Sequence, residues 1–119
     1  MIKNQGAVKA LEQRFLYEFD KMSLPEKFRL VGELLGLMKT EYEWAMVNCI
    51  DELMAQRGLE GKLLYARLGA VAIEVNGTKI IVSALANQFR DVIVEGDDEK
   101  ALELAREIAG LTGYNLRKR

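Results

Sequence analysis

The side chains that do most catalytic and metal chemistry are nearly missing from these 119 residues: histidine does not occur, and cysteine occurs once, as Cys49. Without histidine the commonest general base and the commonest metal ligand are gone. Cys49 falls in an apolar helical pattern, where a cysteine acts as a small buried hydrophobe. A single cysteine makes no internal disulfide, so a reducing compartment is expected. Carboxylates cluster once, at Glu95, Asp97, Asp98 and Glu99. Paired carboxylates can hold a divalent ion or do acid–base work. Here the closing glutamate of a calcium loop is missing, and acids at the start of a helix cap its free amides and suit its dipole. Gly96, with no further glycines and no lysine in phosphate-loop spacing, is no phosphate loop. Ser23 and Ser83 fall at a helix start and in a strand. Nothing selects an enzyme, and no catalytic residue, metal ligand or cofactor is expected.

Binding is better served. Phe15, Phe19 and Trp44 are aromatic residues on amphipathic helices. Trp44 lies off the apolar stripe of its own helix, as an interface anchor would, since aromatic residues are enriched in interface hot spots. Gln13-x-x-Leu16-x-x-Phe19 is close to the short motif by which partners dock on sliding clamps. Asp20, however, stands where that motif has a second aromatic, and the motif belongs to flexible tails rather than to a core helix. Residues 31–46 resemble a DNA-binding helix-turn-helix in places. Gly32 is the small residue where two helices cross, Gly36 is the turn glycine, and Leu35, Leu37, Tyr42 and Ala45 take core positions. A following hairpin would make the arrangement similar to a winged helix. The helix meant for the major groove, though, carries Glu41, Glu43, Asp51 and Glu52, and acids facing phosphates cost affinity. Arg117, Lys118 and Arg119 form a basic tail, and with Arg67, Lys79 and Arg90 they make one basic surface if the fold brings them together.

These residues need a scaffold, and hydrophobic spacing supplies its outline. Val8, Leu11, Phe15, Phe19 and Met22 give a first helical stripe over residues 7–22. Ser23-Leu24-Pro25-Glu26 has the capping-box pattern with proline in the first turn, and Leu24, Phe28, Val31, Leu35 and Met38 continue as a second helix. Thr40-Glu41-Tyr42-Glu43 repeats the pattern at the start of a third, with Tyr42, Met46, Cys49 and Leu53 aligned and Gly58 as its C-terminal cap. Residues 59–68 fit helix or strand. Val71, Ile73 and Val75 alternate before Asn76-Gly77, the strongest hairpin signal in the chain, and Ile80–Val82 follow it. Ala84–Arg90 reads as a connection to a third strand, Asp91–Glu95. Asp97 or Asp98 then caps a helix with Ala101, Leu104, Ala105 and Ile108 inward, ended by Gly110. Thr112–Leu116 is a candidate final strand.

Half the residues are hydrophobic, 29% are charged, and the net charge is −1. One domain of this size buries a core without disulfides or metal. A near-neutral chain has no overall bias toward nucleic acid or anionic membranes. No apolar run reaches the roughly 20 residues of a membrane span, and no hydrophobic stretch of a secretion signal follows Met1–Gly6, so a cytoplasmic location without membrane contact is expected. The expected fold is α+β in a single domain, 1–119: a helical part over 7–57, then a small antiparallel β-meander with a covering C-terminal helix over 68–119. The expected function is that of a non-enzymatic protein–protein interaction or regulatory module that self-associates, as a homodimer or larger homo-oligomer, through Trp44, Phe15 and Phe19. The alternative is a nucleic-acid-binding protein using the degenerate helix-turn-helix and the basic tail.

Overall fold

The structure, a computed structural model, describes residues 5–85 and 89–119. Three helices come first: α1 (Gln5–Glu18), continued by a 3₁₀ turn over Phe19–Lys21, α2 (Leu24–Leu34), with a 3₁₀ turn over Leu35–Leu37, and α3 (Thr40–Arg57). Four strands follow, β1 (Lys62–Arg67), β2 (Ala70–Val75), β3 (Thr78–Leu85) and β4 (Phe89–Glu95), then α4 (Glu99–Thr112) and β5 (Asn115–Lys118). The fold is α+β, as the spacing predicts.

Local chemistry sets most boundaries. At Ser23 the side chain accepts from the Glu26 amide while the Glu26 carboxylate accepts from the Ser23 amide, so both halves of the capping box are made. Asp98, not Asp97, caps α4 by accepting from the Ala101 amide at 3.0 Å. Two expectations fail for physical reasons. Thr40 and Glu43 make no capping box: the N-cap of α3 is Lys39, which bonds no amide through its side chain, and Glu43 turns inward to a distant partner. Gly110 does not end α4, which runs on to Thr112 and stops at Gly113, where φ is +78°.

The sheet runs β1-β2-β3-β4-β5 in space as in sequence. The first four strands are antiparallel, with two-residue turns at Leu68-Gly69 and Asn76-Gly77. β5 returns through α4 and lies parallel to β4, so the meander ends in a crossover unit and the sheet is mixed. The ambiguous 59–68 stretch therefore holds the edge strand β1, and Ala84, Leu85, Phe89 and Arg90 belong to strands; residues 86–88 between them lie outside the described residues.

Val71, Ile73 and Val75 of β2, Ile80, Val82 and Ala84 of β3, and Val92 and Val94 of β4 share one face of the sheet and pack with α2, α3 and α4 in the main core. Gly32 lets α2 meet α4 closely, since a Cβ there would sit 3.3 Å from Thr112. The Tyr114 hydroxyl donates to the Gly32 carbonyl and closes the same junction. The opposite face carries Tyr65, Ala72, Ile81 and Ile93 in one cross-strand row, beside the alternating charges Lys62, Glu74, Lys79 and Glu95. Unlike charges directly opposite on neighbouring strands favour this pairing.

Candidate functional site

The three aromatic residues singled out by type converge. The Phe15 ring lies 4.7 Å from that of Phe19, tilted by 38°, and meets Tyr42 edge-on at 5.0 Å. Together with Leu16, Asp20, Glu41, Trp44, Ala45 and Asn48, Phe15 and Phe19 line an open groove of about 300 Å³ between α1 and α3. Both helices put apolar area into solvent here: Leu16 is 68% exposed and Trp44 48%. α1 is lightly held, because none of its described side chains is fully buried. With the turn that follows it, α1 rests on a small satellite core of Leu30, Leu34 and Tyr42 through Leu11, Phe15, Phe19 and Met22. Its polar anchor is Glu12, whose carboxylate accepts from the Lys39 ammonium and, at 2.9 Å, from the Tyr42 hydroxyl. The Lys39 hydrogen bond, then the Tyr42 one, holds the Glu12 carboxyl below the usual carboxylate value. Burial pushes the Tyr42 hydroxyl well above its ordinary range, so it stays a donor. The groove rim is acidic, with Asp20 and Glu41 and no base among its lining residues.

The other sequence candidates are taken up by structure. Arg117 pairs with Asp91 at 3.0 Å, Lys118 with Asp97, and Arg119 with Glu95 at 3.1 Å. The basic tail and the acidic cluster thus engage each other: the tail is strand β5, and its last amide, at Arg119, donates to the Val94 carbonyl. Asp98 is the helix cap and also accepts from Asn76. Gly96 is required by close approach rather than by phosphate: φ is +131°, and a Cβ would lie 2.6 Å from Thr78 Oγ1.

The basic residues do not form one surface, although Lys79 lies opposite Glu95, the partner of Arg119. Arg67 lies on the far edge strand, its guanidinium 5.4 Å above the Tyr65 ring. The separation of β1 from β5 is four strand spacings, about 19 Å. Arg90 faces the helices, with a contact to the Glu33 carbonyl at 3.5 Å. In the 31–46 segment Gly32 faces α4 rather than α3, and the left-handed turn residue is Met38, not Gly36. The exposed face of α3 presents Glu41, Trp44, Asn48, Asp51 and Glu52. Cys49 is buried and its thiol is pushed up to about 12, leaving no thiolate near neutrality. Among the described residues no group of three or more His, Cys, Asp or Glu is arranged to hold a metal ion, and no helix is long and apolar enough to cross a membrane.

Sequence reasoning passed over a second exposed apolar region. Met38 lies in the α2–α3 turn, Leu68 in the β1–β2 turn, and Leu85 and Phe89 pair at the ends of β3 and β4, all four exposed. Glu43 is 3% exposed; its carboxylate accepts from the Gly69 amide at 2.8 Å and ties the β1–β2 turn to α3. Comparison of the chain with protein-family models, with curated proteins and with solved structures gave no match.

Proposed function

We propose that the chain is a small non-enzymatic interaction module that docks a protein segment in the α1–α3 groove and also associates with itself. The observation that carries the reading is the groove itself. Aromatic side chains that fill a core elsewhere line an open trough here, and Trp44 stands half out of it. A partly wet aromatic anchor beside apolar neighbours is the composition of a binding hot spot. Asp20 and Glu41 on the rim favour a segment that sets lysine or arginine beside an apolar side chain, because rim charges steer encounter and select partners.

Against the nucleic-acid reading stands the pairing of each residue of the basic tail with a carboxylate. Trp44 is the sole tryptophan, so its emission reports directly on cover of the groove. A partner isolated with the wild-type chain is expected to blue-shift that emission on binding and to bind Trp44→Ala at least about tenfold more weakly, a change of about 1.4 kcal/mol. Undiminished binding by Trp44→Ala would remove the groove from the account.

A further inference from the structure

We propose that two copies of this chain pair by exchanging α1, the α1 of each copy lying on α2 and α3 of the other. The proposal rests on the self-association proposed above and names the segment through which it occurs.

The helices are held unequally. α2 and α4 each bury five residues and α3 buries nine, whereas no described side chain of α1 is fully buried. The seat of α1 is a cluster of its own, Leu30, Leu34 and Tyr42, although Phe15 and Phe19 also touch the edge of the main core. Open space lies between α1 and each neighbour: the groove toward α3, and toward α2 a crevice of about 110 Å³ lined by Arg14, Glu26, Arg29, Leu30 and Glu33. Among the described residues, the side-chain hydrogen bonds that tie α1 to the rest of the chain all come from Glu12. A segment with so few buried contacts opens by itself, at a free energy below that of global unfolding.

The joint suits that release. Met22 and Ser23 are extended, with ψ of 152° and 160°, so the chain already runs straight between α1 with its closing turn and α2. The Ser23–Glu26 capping box and Pro25 in the first turn begin α2 without any group from α1. α2 therefore keeps its start wherever α1 lies, and with it the main core between α2, α3, α4 and the sheet.

The seat specifies its occupant. It takes Leu11, Phe15 and Phe19, apolar side chains four residues apart, and beside the first of them the Glu12 carboxylate, for the Lys39 ammonium and the Tyr42 hydroxyl. The α1 of a second copy meets each of these requirements. Exchange remakes in the pair every contact that release breaks in the single copies, which makes swapping an identical element a low-cost route to a dimer. The groove, built by α1 on α3, is complete again in the exchanged pair, so docking of an unlike partner is retained.

The test reverses the two charges in separate chains, Glu12→Lys and Lys39→Glu, and follows each alone and their equimolar mixture by sedimentation equilibrium. Both side chains are partly exposed, so each variant keeps the main core. Alone, either variant sets like charges together in the single copy and in the exchanged pair alike, so its dimer should be no tighter than that of the wild type. In the mixture, exchange brings the Glu12→Lys helix to the Lys39→Glu seat and the unaltered Glu12 to the unaltered Lys39. The heterodimer should therefore be at least about tenfold tighter than either homodimer. Dimers that mix without preference would place self-association elsewhere and overturn the exchange alone. A wild-type chain and a mixture that both stay monomeric to about millimolar concentration would overturn it together with the self-association on which it rests. The wild-type chain gives a second reading without any variant. An exchanged pair repeats the contacts of the single copy, so Trp44 emission should be the same in monomer and dimer. A blue shift on dimerisation would put the second copy over the groove and overturn the exchange.

Discussion

A carboxylate taken into the interior needs partners, and Glu43 has one in the Gly69 amide. Glu43→Ala leaves that buried amide unpaired and should cost about 1–3 kcal/mol, read as a lower urea midpoint with an unchanged slope. Gly96→Ala should cost at least as much, since it combines a left-handed backbone with a Cβ set into Thr78, whose hydroxyl also receives the Asp98 amide. Leu68→Asn should go the other way and return about 1 kcal/mol of backbone strain. Residues with one local reason to be where they are were legible in the sequence: Asn76-Gly77, Ser23 with Glu26, Gly58. Glu43 was not, because Thr40-x-x-Glu43 satisfies a local pattern while its partner lies 26 positions on. Leu68 was not legible either, for a lone exposed leucine in a turn has no period. The signal available was its place before Gly69, matching Asn76 before Gly77.

At the scale of elements, α1 is the part that conditions change most readily. Its Glu12 carboxyl is held below the usual value of 4.5, by Lys39 first and Tyr42 second. A carboxyl lowered on folding adds stability that is present above the unfolded value and is lost as pH falls through the folded one. The α1 contact should therefore loosen below about pH 4.5, seen as a change in Trp44 emission that Glu12→Gln reduces. Glu26, held down by the Ser23 hydroxyl, and Asp98, held down by the Ala101 amide, lose their capping bonds in the same acid direction, so the starts of α2 and α4 weaken as well. Ser23→Ala should cost about 1 kcal/mol at neutral pH. The long helices and central strands were legible because each buries one regular face. β1 was ambiguous because it is an edge strand, mostly exposed, with a bulge between Leu63 and Tyr65. β5 was harder still: all four of its residues are exposed, and only the α4 crossover places it beside β4.

At the scale of the whole molecule, charge is balanced locally as well as in sum. The tail cations meet the acids of β4 and of the turn before α4, and the outer face of the sheet alternates signs. Exposed pairs of this kind contribute only about 0–1 kcal/mol each. Replacing Arg117, Lys118 and Arg119 by glutamine should therefore shift the melting temperature little, and labelled duplex or single-stranded DNA and RNA should stay unbound even at low salt. Salt-steep binding would show a basic surface that these pairs do not neutralise. The exposed apolar surface includes the groove, whose aromatic members could be named from sequence but whose convergence needed the packing of α1 on α3, and Met38, Leu68, Leu85 and Phe89, which no periodicity announces. The most direct measurement of an interaction module that pairs with itself through apolar contact is sedimentation equilibrium of the full chain, from about micromolar to about millimolar, at low and high salt. A monomer–dimer equilibrium insensitive to salt is the predicted result. A chain that stays monomeric throughout, or a dimer that dissociates as salt rises, would contradict it.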